Sequence, residues 1–191
     1  ERMLRAFGVP VQVAGASVSV TGGARLRAGA IAVPGDLSSA TFPIVAACLG
    51  AAGGELVLEN VGLNPTRTGI LDILRLMGVD LAVTPADPAA AEPVGTIRVR
   101  PARLRGAVIP PALVPLAIDE FPMLFVAAAL AEGTTVVSGA AELRHKESDR
   151  IGVMAAGLRS LGITVDERPD GAVIHGGQLG GGRIDSHGDH R

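Results

Sequence analysis

The chain has 191 residues, a formal net charge of −2 and 48% apolar residues, with four Phe and no Trp or Tyr. That length can bury a substantial core, which must be built from Val, Leu, Ile and Ala. Acids and bases mix along the chain, which argues against the one-sided basic footprint of a nucleic-acid binder. A single cysteine, Cys48, excludes a disulfide framework and a cysteine-based metal site. His175, His187 and His190 fit no familiar zinc spacing. No apolar run reaches the roughly 18 residues of a membrane-spanning helix, and no secretory leader is visible, so the expected compartment is the cytoplasm.

Arg2 to Gly8 reads as a helix already under way at Glu1, and the chain stops at Arg191 just after a helix-initiating Asp189. It therefore reads as a fragment of a longer protein. Helix endings recur as Phe7-Gly8-Val9, Met77-Gly78-Val79 and Leu161-Gly162-Ile163. In each, Gly closes a helix and a β-branched residue opens a strand. Helix beginnings recur at Asp36-Leu37-Ser38-Ser39 and Ile118-Asp119-Glu120, each leading into an Ala-rich apolar helix that ends near Gly53 or Gly133. Asp189-His190-Arg191 resembles a third beginning.

Strand patterns follow at 55–58, 80–83 and 96–99, and again at 134–137, 164–165 and 172–174. Each unit thus reads strand, helix, strand, helix, strand, strand: an α/β chain with an internal repeat. The apolar helices 43–49 and 123–130 should be covered on every side, while Ile151, Met154, Leu158 and Leu161 give an outer helix one core-facing stripe. Pro85 to Pro93 reads as a surface loop and 168–171 as a turn. The five glycines of 176–182 suggest a slack connection. Residues 1–26 lack the first half of a unit and are expected to close a preceding domain, with 27–191 forming a second.

Lys146-Glu147-Ser148-Asp149-Arg150 gathers two cations and two carboxylates at a helix start, where exposed N–H groups favour an anion. Lys146 and Arg150 can clamp a phosphate or carboxylate, and Glu147 and Asp149 can move protons. Locally the run also reads more simply, with Ser148 or Asp149 as a cap and the cations in surface pairs. Asp119 has the same two readings, N-cap or base. Ser38 and Ser39 read only as caps, and Arg67, the repeat counterpart of Arg150, as structural.

Taken together, Gly35-Asp36-Leu37-Ser38-Ser39-Ala40, Leu63-Asn64-Pro65-Thr66-Arg67-Thr68-Gly69, Ile118-Asp119-Glu120-Phe121-Pro122, Arg144-His145-Lys146-Glu147-Ser148-Asp149-Arg150 and Gly188-Asp189-His190-Arg191 occur in the order seen in the 5-enolpyruvylshikimate-3-phosphate (EPSP) synthases. The resemblance runs the whole chain. It implies βαβαββ modules, with 1–26 as the tail of an upper domain and 27–191 as two lower-domain modules plus the start of a third. It implies enolpyruvyl transfer from phosphoenolpyruvate to the 5-hydroxyl of shikimate 3-phosphate, a step toward chorismate and the aromatic amino acids. By the same resemblance Asp119 is the base, Lys146 contacts shikimate 3-phosphate, and Glu147 exchanges a proton with the phosphoenolpyruvate methylene. Arg150 and Arg191 bind phosphoenolpyruvate, with His190 close by. No metal, organic cofactor, nucleic-acid or membrane partner is implied, and the full-length protein is expected to be a monomer.

Glu142 stands where some members carry a substrate-contacting Asn. The upper-domain Lys, Arg and Ser-Ser-Gln contacts are absent, so these residues alone are expected to be inactive. The alternatives are the UDP-N-acetylglucosamine enolpyruvyl transferase, whose motifs lack Lys-Glu-Ser-Asp-Arg, and a non-catalytic anion-binding repeat module.

Overall fold

The computed structural model describes residues 1–50, 53–86 and 92–190. Residues 51–52, most of the expected 85–93 loop and Arg191 lie outside the described residues. A short helix, α1 (Arg2–Ala6), leads into an antiparallel hairpin of β1 (Val11–Ala14) and β2 (Ser17–Val20). The remainder is one unit built twice.

The first copy runs α2 (Leu37–Cys48), β3 (Leu56–Gly62), α3 (Gly69–Leu76), β4 (Leu81–Pro85) and β5 (Val94–Val99). The second runs α4 (Phe121–Ala129), β6 (Thr134–Val137), α5 (Arg150–Ser160), β7 (Thr164–Arg168) and β8 (Gly171–His175). Both sheets have the same order, β3-β5-β4 and β6-β8-β7, with the last strand in chain order pairing antiparallel to both neighbours. The expected opening strand of each unit is reduced to parallel bridges. Gly35 meets Val61, and Arg105 and Val108 meet Glu132 and Val136. The reason is visible in the sequence on either side: Pro34, Pro101, Pro110 and Pro111 lack the donors a full ladder needs.

The recurring helix ends are one device used three times. Gly8, Gly78 and Gly162 take φ of 79°, 89° and 90°, where a side chain would be strained. The following residue then donates back into the last turn, Val9 to Leu4, Val79 to Leu74 and Ile163 to Leu158. This is the Schellman arrangement, and it plants Val9, Val79 and Ile163 in buried positions.

A single hydrophobic cluster joins both units, from Leu37 to Ile174. Val9 and Val11 are buried but stand outside it. Helix α4 is central as expected, with Phe121, Leu124, Phe125 and Ala127 to Ala129 buried. Phe121 and Phe125 meet edge to face, centroids 6.5 Å apart at 71°. Helix α2 is covered less completely than expected. Its Ile44, Val45 and Cys48 are buried, but Phe42 is 40% exposed. Burial pushes the Cys48 thiol up to about 11 and leaves it unreactive. Helix α5 buries Ile151, Ala155 and Leu158, while Met154 packs against the core only partly.

The 176–182 segment is not slack. Gly176 donates to Gly133, Gly177 to Ala129 and Gly180 to Leu161. A Cβ on Gly176 would lie 1.6 Å from the Ala131 carbonyl oxygen, so glycine permits a close backbone approach there. Among the described residues no helix is long and apolar enough to cross a membrane. Phe125→Ala should cost about 3–5 kcal/mol in denaturant unfolding, because it opens a cavity in the shared core. Val108→Ala, 72% exposed, should change stability by less than about 0.5 kcal/mol in the same measurement.

Candidate active site

The helix starts of the two units, and the turns before them, bring charged residues to one place. Helix α5 begins at Arg150, with Asp149 as its N-cap accepting from the Gly152 N–H at 2.9 Å. Lys146 to Asp149 therefore precede the helix, following a 3-10 turn over Ala141–His145. Asp149 also pairs with Arg144 at 2.7 Å, and Arg144 reaches Glu167 at 3.1 Å. Burial of Asp149 works to raise its pKa, but the Gly152 hydrogen bond and Arg144 outweigh it and the net shift is downward. Asp149 is thus spent on capping. Ser148 does not cap: its hydroxyl donates to Asp189 at 2.7 Å.

Arg150 is not in a surface pair. It is 3% exposed, with Nη2 on Glu147 at 2.6 Å and Nε on Asp189 at 3.0 Å. Burial disfavours its charge, yet Asp189, Glu147 and Asp119 more than offset this and raise its pKa. Its Nη1 is buried without a hydrogen-bond acceptor among the described residues and lies 3.6 Å from Asp119 Oδ1. Lys146 Nζ approaches the same oxygen at 3.9 Å and is held by Glu142 at 2.8 Å.

Asp119 is no cap. It lies in a 3-10 turn, Ile118–Glu120, and Glu120 is the residue before α4. The helix starts therefore align Asp36 with Glu120, leaving Asp119 as an extra acid rather than a repeat of Asp36. Its Oδ2 accepts from Arg67 Nη2 at 2.9 Å, and its side chain is 22% exposed. Arg67 precedes the α3 N-cap, Thr68, by one residue. By helix start it matches Ser148, not Arg150.

Three contributors were not legible as such in the sequence. Ser38 is buried, and its hydroxyl donates to the Glu120 carboxylate while accepting from Arg67 at 3.1 Å. The capping falls to Asp36 alone, which accepts from the Ser38 and Ser39 N–H groups at 3.2 and 2.9 Å. Glu120 is 2% exposed, and burial raises its pKa against the lowering pull of Ser38 and Arg67. Asp189 supplies the carboxylate that neutralises Arg150. The signal for Arg67 and Ser38 was their place at helix starts homologous to those of the charged run. Nothing in the pattern singled out Glu120.

The 187–188 segment is a turn, and Asp189 and His190 follow it as the last described residues. His190 is exposed, and Arg191 lies outside the described residues. A cavity of about 260 Å³ lies between α4, α5 and 179–189. Its walls are mostly apolar, and Asp119, Lys146 and Glu147 are not among them. The charged cluster is an open site beside it. Among the described residues no three His, Cys, Asp or Glu side chains group as metal ligands.

This arrangement presents cations for an anion, one accessible carboxylate between them, and a second carboxylate on the buried Arg. A family model described as EPSP synthase (3-phosphoshikimate 1-carboxyvinyltransferase) matches residues 1–191. The chain belongs to the EPSP synthase family. The 3-phosphoshikimate 1-carboxyvinyltransferase of Acidithiobacillus ferrooxidans is 59% identical over 191 residues, which are all of this chain and 44% of that protein. Its counterpart in Xanthomonas campestris pv. campestris is 62% identical over 191 residues, 43% of its length. A solved EPSP synthase from Acinetobacter baumannii superposes with a TM-score of 0.91 at 50% identity, over 99% of this chain and 44% of that one. The chain thus spans less than half the length of these relatives. The matches favour the synthase over the UDP-sugar transferase.

Removing the cap should be measurable. Asp149→Ala should cost about 1 kcal/mol near neutral pH, as an N-cap loss. Because the folded pKa lies below the ordinary 3.8, that contribution is present above pH 3.8 and fades as pH falls through the folded value. Unfolding of both proteins across pH 2–7 checks this; the difference should close at the acid end.

Proposed function

We propose that the site serves the enolpyruvyl transfer for which its relatives are named. Shikimate 3-phosphate and phosphoenolpyruvate are the substrates, Asp119 is the base and Glu147 the proton-transfer partner. The observation that carries this reading is the meeting at Asp119. One partly exposed carboxylate stands between Lys146 and Arg150, whose guanidinium also holds Glu147.

The chemistry asks for such a pair. As the 5-hydroxyl oxygen bonds to C2 of phosphoenolpyruvate, its proton passes to Asp119 and C3 gains a proton by way of Glu147. The tetrahedral adduct then loses phosphate as the C2–O bond to phosphorus-bound oxygen breaks, the proton held by Asp119 leaves with the phosphate, and a C3 proton returns to Glu147 as the double bond is restored. Electrons balance without an oxidant. Lys146 is the contact for the shikimate ring, and Arg150 with Arg191 binds phosphoenolpyruvate, whose carboxylate suits a guanidinium fork. The buried Arg150 Nη1 has a free hydrogen for an acceptor of that kind. Asp189 bonds Arg150 and is two residues from Arg191 in sequence, which supports Arg191 and, with less direct support, His190 as neighbours of the ligand. Residues 1–26, whose Val9 and Val11 stand outside the shared core, fit the end of a separate domain.

The test uses a chain of the relatives' full length carrying these 191 residues. Asp119→Asn and Glu147→Gln should each lower kcat by roughly 10²–10⁴-fold, the range for loss of acid–base catalysis, with the unfolding midpoint little changed. Phosphate release at wild-type rates from both variants would leave the anion-binding module as the better account.

A further inference from the structure

Arg67 offers one nitrogen, Nη2, to three oxygens: Asp119 Oδ2 at 2.9 Å, Ser38 Oγ at 3.1 Å and Glu120 Oε1 at 3.6 Å. That nitrogen carries two hydrogens, so it can serve only the two nearer oxygens. Ser38 completes the chain by donating its own hydrogen to Glu120 Oε1. The order is therefore Asp119, Arg67, Ser38, Glu120, each link occupied once. Glu120 and Ser38 are 2% and 3% exposed, whereas Arg67 is about half exposed and Asp119 faces outward. A buried anchor thus ends in an accessible carboxylate.

We infer that Arg67, fixed by Ser38 and Glu120, is a positioning residue for Asp119, holding Oδ2 so that Oδ1 faces Lys146, Arg150 and the substrate hydroxyl. This rests on the reading of Asp119 as the base. Ser38 in α2 and Arg67 before α3 come from the first unit, while Glu120, Asp119, Lys146 and Arg150 belong to the second. Correct docking of the two units is then a condition for an oriented base.

Burial shifts Glu120 toward its neutral form. Its Oε2 is buried with no partner, and an ionised carboxylate with a bare buried oxygen is costly. Burial raises its pKa accordingly. A neutral Glu120 leaves the Arg67 charge to Asp119. An ionised one would draw Arg67 inward and compete for it. The groups facing Glu120 that bear on this are Arg67 and Asp119.

The experiment measures kcat and KM for both substrates in the full-length chain bearing Arg67→Lys, Ser38→Ala, Glu120→Ala and Glu120→Gln, beside Asp119→Asn. Lysine carries its ammonium on a shorter, flexible stem, without the planar guanidinium that fixes Nη2 between Asp119 and Ser38. Misplacement of a base by about 1 Å costs up to roughly a hundredfold. Arg67→Lys, Ser38→Ala and Glu120→Ala should each lower kcat at least tenfold with KM within threefold, and Glu120→Gln, which keeps the acceptor oxygen for Ser38, should restore kcat to within threefold. If Asp119→Asn abolishes turnover while Arg67→Lys and Ser38→Ala leave kcat within threefold, the positioning role fails and the base stands. If Asp119→Asn keeps the wild-type rate, the base itself fails. A rise in KM that matches the fall in kcat/KM, with kcat intact, would make Arg67 a substrate contact and overturn the inference.

Discussion

A guanidinium that is 3% exposed is costly to bury without acids around it, and Arg150 has been given three. Taking such a group out of water is expensive, and only close carboxylates with good hydrogen bonds offset the loss. Much of the local architecture answers that need. Glu147 lies at the start of the same helix, Asp189 is drawn back from 39 residues further along the chain, and Asp119 arrives from the turn before α4. The 176–189 segment is held down for the same reason, first by backbone hydrogen bonds to Gly133, Ala129 and Leu161 and then by the Asp189 carboxylate. Removing Asp189 would take from Arg150 the acid that meets it through two nitrogens, leaving Glu147 and Asp119 to offset the buried charge.

The repeat supplies the geometry in which this happens. Each unit ends its outer helix with the same glycine turn and pairs its last three strands in the same order. Because the two units share one hydrophobic cluster, their equivalent helix starts face one another. A second-unit carboxylate at 119 can then meet a first-unit arginine at 67 across 52 positions of sequence. The repeat does not predict the roles. Aligning helix starts pairs Asp36 with Glu120 and Arg67 with Ser148, so Asp119 sits one residue before the position symmetric to Asp36 and Arg150 two after that symmetric to Arg67.

That offset explains what could be read from the sequence. Helix ends, strand positions and the apolar α4 follow from local rules, since Schellman glycines, alternating strands and all-apolar helices each announce themselves within a few residues. The charged run and Asp119 stood out by composition. Ser38 and Arg67 did not, because a serine behind an N-cap and an arginine before a helix have ordinary local explanations. Only the contacts over 82 and 29 positions, Ser38 to Glu120 and Arg67 to Ser38, show what they hold. Glu120 was hidden by its neighbour: two consecutive acids give no local sign of which is buried.

The charge count of the cluster carries one further consequence. Among the described residues, Arg67, Lys146 and Arg150 face Asp119, Glu120, Glu142, Glu147 and Asp189. Even with Glu120 neutral, acids outnumber bases. Such a surface does not by itself attract a phosphorylated sugar acid or phosphoenolpyruvate, because long-range steering follows the summed field. Each cation here is already engaged, Lys146 by Glu142 and Arg150 by Glu147 and Asp189. For the anions of the proposed reaction to bind, they must displace these carboxylates or bring in cations from elsewhere. Arg191 is one such cation by the proposed reading, and the relatives have more than half of their length outside the matched stretch, where others can lie. On this view the described cluster is built for proton transfer and orientation, with each cation pinned by an acid until a stronger anion replaces it.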